Sequence, residues 1–401
     1  MTRISRIHTK NLLKNPCPEW VFATILYGQA ALRNALLVGN SQCYNLRMYS
    51  LNEITDNPEA FRETVLHSRP FRPLYAKIKV IYGCNLKCEM CNHWRESRGL
   101  AMKTEKFKEI ISDLAELGCR KVHFTGGEPM LRGDIPELTA HAHGLGIRVC
   151  MTSNGTLIDK VKAKALVEAG MRGINISIDS PIRKIHEKIR GIEGSWKLTT
   201  RAVEYFRKYA RKGKISIRIN TVVSRENFDT LETLPDVAHK LGADGINLIP
   251  VDDHCGEHLS LRKKDIAFFN ESIAPKIAAR ALELGLIVSE EDAFPFGQDA
   301  AEVRLARAGR YALGYYKSHP CYAPWTHTLI DHKGMVYVCC MTRDQIPPLG
   351  DLKTSTFKEV WEGSAYQRIR LQMHPPALPM CQRCDDFIDE NKKIWESIGP
   401  Y

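Results

Sequence analysis

The chain has 401 residues, enough for two or three domains with a sizeable core. Its 44% apolar and 26% charged residues exclude a disordered, collagenous or coiled-coil protein. The 57 Lys+Arg against 46 Asp+Glu leave a net charge of +11, which suits an anionic substrate or partner, but the basic residues are scattered and argue weakly for nucleic acid.

From Met1 to residue 74 the chain reads as a helical extension, with apolar segments at Trp20 to Leu37 and Ala60 to Leu66 punctuated by Pro16, Pro18, Pro58, Pro70 and Pro73. The first segment is interrupted by Gln29, Arg33 and Asn34, too short and polar to span a bilayer. No apolar stretch followed by a small-residue cleavage site marks a signal peptide, so a cytoplasmic protein is expected. In that compartment thirteen cysteines point to metal or redox chemistry rather than disulfides.

Residues 75–260 alternate short β-rich runs with helix-length segments, the pattern of βα units around a parallel sheet. The runs are Ala76 to Tyr82, Lys121 to Thr125, Arg148 to Thr152, Gly173 to Ile178, Ile215 to Val223 and Gly245 to Val251. Phe107, Ile110, Ile111, Leu114 and Leu117 follow Thr104 at helical spacing up to Gly118, and Leu157 to Ala169 closes on Gly170. Six such units predict an α/β fold, a partial (β/α)6 barrel with its site at the C-terminal ends of the strands. Residues 261–318 read as a helical connection, and 319–401, with five cysteines, as a small metal-stapled domain.

Directly after the first run stand Cys84, Cys88 and Cys91 in a C-x3-C-x2-C loop. Zinc sites gather four ligands, commonly from C-x2-C pairs, so three thiols without a local fourth suit a cubane cluster with one iron open. Thr125-Gly126-Gly127-Glu128-Pro129 follows the second run, Thr152-Ser153-Asn154-Gly155 the third and Ser177-Ile178-Asp179-Ser180 the fourth. Paired glycines permit close backbone approach, and a carboxylate complements an ammonium.

In this order the motifs resemble the radical S-adenosylmethionine (SAM) superfamily. The resemblance implies a [4Fe-4S] cluster on Cys84, Cys88 and Cys91 whose fourth iron is chelated by SAM. It implies a SAM amino group held at Gly126, Gly127 and Glu128, and nucleoside or carboxylate contacts at Asn154, Ser177, Asp179, Arg190 and Asn220. For each of these singly, a turn or cap role is an equal reading. The residue before the third cysteine is often aromatic in the family and stacks near adenine; Met90 stands there instead.

Cys321, Cys339, Cys340, Cys381 and Cys384 present a cysteine, a G-x4-C and a C-x2-C, similar to SPASM and twitch domains that bind auxiliary [4Fe-4S] clusters. No cysteine follows Asp385, so one auxiliary cluster is expected on Cys321, Cys339, Cys381 and Cys384, with Cys340 the alternative to Cys339. A zinc knuckle is the competing reading of these thiols. Beyond the sixth run, Asp252, His254 and Cys255 are candidates for substrate contact, with a solvated polar loop as the plain alternative.

The resemblance implies an enzyme, of oxidoreductase or isomerase type, that cleaves SAM reductively to a 5′-deoxyadenosyl radical and abstracts hydrogen from its substrate. A flavodoxin- or ferredoxin-type reductant would supply the electron. A small, anionic metabolite is favoured over a peptide, because residues 1–74 lack the strand pattern of a peptide-recognition domain, and Arg183, Lys184 and Arg190 are expected to line a cationic mouth. A peptide-modifying maturase and a non-catalytic iron-sulfur electron carrier are the alternatives. No membrane partner is expected, and no appended RNA-binding module is recognisable.

Overall fold

The computed structural model describes residues 50–96, 98–210, 213–253, 256, 258–375 and 377–400. Trp20 to Leu37, Cys17, Cys43, His254 and Cys255 lie outside them. Asn52–Thr55 forms one helical turn, and α1 spans Pro58–Leu66. Asn57 caps α1 through its side chain, and Pro58 occupies the first turn, where its missing N–H costs nothing. Phe61 of α1 is buried and meets Phe71 at 4.9 Å and Tyr322 at 6.0 Å, so this part of the extension packs on the C-terminal segment.

The six expected runs are strands: β1 (Tyr75–Ile81), β2 (Lys121–Gly126), β3 (Arg148–Ser153), β4 (Gly173–Ser177), β5 (Ser216–Val223) and β6 (Gly245–Pro250). Each is parallel to the next in chain order. The crossovers are α2 (Thr104–Glu116), α3 (Ile135–Gly144), α4 (Lys160–Glu168), α5 (Arg183–Arg190), α6 (Ser195–Tyr209) and α7 (Leu234–Leu241). Strand alternation puts Ala76, Ile78 and Val80 of β1 wholly into the core, while Lys77 and Lys79 share the opposite face. That opposite face lines the barrel lumen, so the sheet is apolar outward and polar inward.

Beyond β6, α8 (Lys263–Phe268) runs through a π-turn at Phe269–Ile273 into α9 (Ala274–Glu283), and α10 (Ala300–Arg307) follows. The six parallel strands form the expected partial barrel, and the sheet runs on beyond them: β7 (His327–Ile330) from the cysteine-rich segment pairs in parallel with β1, and β8 (Met335–Tyr337) and β9 (Gly350–Asp351) extend it antiparallel to nine. The open edge of β1 carries unpaired N–H and C=O groups, and the fully buried β7 satisfies them.

After β9 come α11 (Phe357–Glu362), α12 (Ser364–Gln372) and α13 (Ile388–Ile398). Trp361 of α11 is buried, donates to the Phe71 carbonyl at 2.8 Å, packs on Tyr366 at 4.7 Å and lies under the Arg370 guanidinium at 4.9 Å. Among the described residues no helix is long and apolar enough to cross a membrane. Trp361→Ala should lower stability by about 3–5 kcal/mol through cavity formation and the orphaned Phe71 carbonyl, measured by denaturant unfolding.

Candidate active site

β1 runs straight into the Gly83 to Cys91 loop, which is fastened to the end of α5 by Lys87 N–H to the Arg190 carbonyl (3.2 Å) and Glu89 N–H to the Ile189 carbonyl (3.0 Å). Trp94 Nε1 donates to the Cys88 carbonyl at 2.9 Å and holds the far side. Cys88 is buried, and Cys84 and Cys91 are half-buried; all three are free thiols. Burial pushes the Cys88 thiol up to about 11, partly offset by Arg190, whose Nη1 stands 3.7 Å from Cys88 Sγ. Asn154 Nδ2 approaches Cys84 Sγ at 3.8 Å, and His93 Nδ1 lies 3.4 Å from Cys91 Sγ. Each sulfur therefore faces a donor that would stabilise a thiolate, as the outer shell of a cluster does. Among the described residues no three His, Cys, Asp or Glu side chains converge at single-ion spacing. The fit to a cluster thus rests on the gathered thiols and their donors, not on a preformed ion cage.

The Gly126-Gly127-Glu128 turn is pressed against this loop. A Cβ on Gly127 would fall 2.0 Å from the Gly83 carbonyl oxygen, and one on Gly126, whose φ is +150°, would fall 2.2 Å from that of Ile81. The glycines are thus required by backbone packing at the root of the cysteine loop. Glu128 is buried, and its carboxylate accepts from Ser153 Oγ (2.8 Å), Asn154 N–H (2.8 Å) and Met130 N–H (3.0 Å). Three of its roughly four acceptor sites are taken, so it braces the ends of β2 and β3 rather than presenting an open carboxylate. Asn154 continues the brace, donating to Asn85 Oδ1 at 2.9 Å.

Asp179 is fully buried and pairs with Arg190, Nε to Oδ2 at 2.6 Å, while its other oxygen accepts from Val222 N–H at 3.0 Å. Arg190 is thereby held between the β4 end and Cys88, not on an open mouth. Of the other expected mouth cations, Arg183 pairs with Glu187 at 2.9 Å and Lys184 is exposed. Ser177 stands opposite Asn220 in the β4–β5 register, and Asn220 Oδ1 accepts from Asn247 Nδ2 at 2.8 Å. Met90 is half-buried on the cysteine loop. Asp252 pairs with Arg383, inside the C-x2-C, at 2.7 Å; His254 and Cys255 beside it are outside the described residues. Asp179→Asn should cost about 3–5 kcal/mol because it strands the buried Arg190 charge, and adding Arg190→Met should recover part of that loss in the same unfolding measurement.

A cavity of about 520 Å³ occupies the lumen. The strands contribute Lys77, Lys121, His123, Arg148, Arg218 and Asn247 to its wall, and the C-terminal segment faces them with Cys340, Asp385, Asp386, Asp389 and Glu390. Lys77 Nζ bonds Asp386 at 2.7 Å and Cys340 Sγ at 3.4 Å. Burial raises Asp385 to about 6 and Glu390 to about 7, although both side chains open onto the cavity. Cys321, Cys339, Cys381 and Cys384 are all buried around Tyr316, whose hydroxyl donates to Cys321; burial and these four thiols lift the phenol well above its usual range. Cys340 turns the other way, to Lys77. The sequence reading missed the lumen residues, although the alternation of Lys77 and Lys79 with Ala76, Ile78 and Val80 carried the signal.

The sequence signature of the radical SAM superfamily matches residues 78–237, and that of the SPASM iron-sulfur cluster-binding domain matches residues 321–385. An AdoMet-dependent heme synthase of Oleidesulfovibrio alaskensis is 28% identical over 316 residues, covering 72% of this chain and 74% of the relative. A PqqA peptide cyclase of Granulibacter bethesdensis is 29% identical over 173 residues, covering 43% and 45%. The crystal structure of Streptococcus suis SuiB bound to S-adenosylmethionine shares the fold at a TM-score of 0.60 and 18% identity, covering 88% of this chain and 82% of that one. The two signatures fall on the barrel with its cysteine loop and on the segment with the four buried thiols, which brings SAM, a SAM-binding [4Fe-4S] cluster and auxiliary iron-sulfur binding with them. The chain belongs to the radical SAM superfamily, as an enzyme with a C-terminal SPASM domain.

Proposed function

We propose that this enzyme acts on a small, anionic metabolite that reaches the lumen cavity, oxidising it or rearranging it, epimerisation included. The observation that carries the reading is the cavity itself: about 520 Å³, polar, and bounded by strand cations on one side and C-terminal carboxylates on the other. That volume lies in the range of small-molecule sites, about 300–1,000 Å³. The broad match to a heme synthase supports a small-molecule substrate, whereas the match to a peptide cyclase covers under half of each chain.

In this reading Cys84, Cys88 and Cys91 hold the SAM cluster, with Arg190, Asn154 and His93 as donors to their sulfurs. Gly126, Gly127 and Glu128 shape the turn that receives the SAM amino group, and Asn154, Ser177, Asp179, Arg190, Asn220 and Met90 border the rest of the cofactor. When bound, the cluster and SAM supply the hydrogen-abstracting chemistry. The chain's own part is to orient the substrate in the lumen and to keep water from it. Cys321, Cys339, Cys381 and Cys384 hold one auxiliary [4Fe-4S] cluster, because those four thiols are buried near Tyr316 while Cys340 meets Lys77 at 3.4 Å. Asp252, two residues after β6, faces the substrate; the other two candidates, His254 and Cys255, lie outside the described residues. The working boundaries are an extension over 1–74, the barrel over 75–260, a connection over 261–318 and the auxiliary domain over 319–401, in a cytoplasmic protein reduced by a flavodoxin- or ferredoxin-type donor.

Two measurements test this. Anaerobically reconstituted, reduced enzyme given size-fractionated host extract should form 5′-deoxyadenosine with the low-mass fraction, and Cys84→Ala/Cys88→Ala/Cys91→Ala should abolish it; stimulation only by a protease-sensitive fraction would make the substrate a peptide. Iron analysis should show Cys339→Ser losing one cluster's complement of iron while Cys340→Ser keeps it; the reverse result would exchange the two ligands.

A further inference from the structure

Beyond Cys91 the cysteine loop continues through residues 92–96 and 98–103, a segment without regular structure that is nonetheless tied down. The His93 ring stacks on Tyr82, at the end of β1, with centroids 4.7 Å apart. The Arg132 guanidinium, just past the glycine turn, donates to the Met102 carbonyl at 3.0 Å. Met102 N–H donates to the His332 carbonyl at 2.9 Å, in the turn between β7 and β8. Yet this tethered segment leaves apolar side chains in solvent. Leu100 is 94% exposed, and Trp94 and Leu131, the residue before Arg132, are exposed as well. The indole of Trp94 also reaches inward, donating to the Cys88 carbonyl at 2.9 Å, while the Arg95 guanidinium lies over its ring at 4.9 Å.

Positive charge accompanies these side chains. From Cys84 to Lys103 the chain carries Lys87, Arg95, Arg98 and Lys103 against Glu89 and Glu96. Lys333, in the turn between β7 and β8, adds a fifth cation: a Cβ placed on Gly99 would lie 3.4 Å from its Cε. Arg98 takes up the acids nearest to it, Glu96 at 2.8 Å and Asp344 at 3.1 Å. Lys87 and Lys103 are exposed, Lys333 is half-buried, and none of the three has an ion pair among the described residues. Exposed apolar side chains accompanied by charge are the make-up of a protein contact surface.

We infer that this face, with Trp94, Leu100 and Leu131 as its apolar part and Lys87, Lys103 and Lys333 as its cations, docks an acidic one-electron carrier protein. Electron tunnelling falls off steeply with distance, so a protein donor must dock where the ligands of the accepting cluster come near the surface. Cys84 and Cys91 are half-buried here, and one hydrogen bond joins the exposed Trp94 indole to the Cys88 backbone. On docking, one electron leaves the reduced carrier and takes the cluster from [4Fe-4S]2+ to [4Fe-4S]+, with no atom transferred. The occupant is acidic because the three lysines find no counter-charge within the chain, and opposite charge steers the encounter of such partners. A second copy of this chain, itself carrying a net charge of +11, fits the same face poorly. This surface rests on the reading of Cys84, Cys88 and Cys91 as the ligands of a reductively used SAM cluster, and adds where the electron enters.

The test uses the reconstituted holoenzyme, with a flavodoxin and a [4Fe-4S] ferredoxin as probes. In calorimetric titrations with the oxidised carriers, wild-type enzyme should bind at least one of them, and more weakly as salt rises. Lys103→Glu/Lys333→Glu and Leu100→Ser should each weaken that binding by about tenfold. At subsaturating photoreduced carrier, both variants should be reduced more slowly in the same proportion, followed by the loss of cluster absorbance. Dithionite, a small molecule that needs no docking face, should reduce both as fast as wild type, which separates a lost contact from a damaged cluster or fold. Lys264→Glu, the same charge change on α8, should behave as wild type. Wild-type enzyme that binds neither carrier, or variants that bind and are reduced like wild type, would overturn the surface. So would self-association that these variants abolish in analytical ultracentrifugation, because the face would then belong to a second copy. Dithionite-reduced wild-type enzyme unable to cleave SAM would strike the functional reading alone, since the binding titrations need no turnover.

Discussion

The whole arrangement depends on β1 being hydrogen-bonded on both sides. β2 takes one edge and β7, from residues 252 positions further along the chain, takes the other. A strand so held cannot shift register without breaking two ladders, and each one-residue slip would turn Lys77 and Lys79 into the apolar layer. The rigidity matters because β1 ends in the cysteine loop, and its inward face meets Cys340 and Asp386 of the C-terminal segment. One strand therefore ties the first cysteine loop to the C-terminal segment.

Around that strand, most ionisable groups at the strand ends are spent on the protein itself. Glu128 braces β2 to β3, Asp179 holds Arg190 against Cys88, and Asp252 ties the loop after β6 to Arg383. Buried charges that are paired and hydrogen-bonded fix geometry, since leaving either partner alone would be expensive. The consequence for function is preorganisation: the cysteine loop is anchored by backbone bonds to α5 and by the Gly126-Gly127 turn before any ligand arrives.

Cys339 and Cys340 show how neighbouring letters acquire different chemistry. Both are thiols in one turn, yet one is buried among Cys321, Cys381 and Cys384 and the other touches a lysine in the lumen. Burial lifts the Cys339 thiol to about 12, so it keeps its proton at neutral pH unless a metal binds the sulfur and displaces that proton to solvent. Cys340 is half-buried on the far side of the same turn and shares the cavity wall with Lys77.

Read from the letters, the six strands fall within one or two residues of their places, because apolar runs between capped helices are a local property of the chain. The cysteine spacing and the glycine turn were legible for the same reason: their chemistry is held within a few consecutive residues. The family followed from their order. What tertiary structure alone decided were the partnerships. That β7 extends the barrel sheet, that Glu128 and Arg190 are engaged internally and that Cys340 faces the lumen all join residues distant in sequence. Such contacts depend on how burial and hydrogen bonding are satisfied across the whole fold, and no local pattern encodes them.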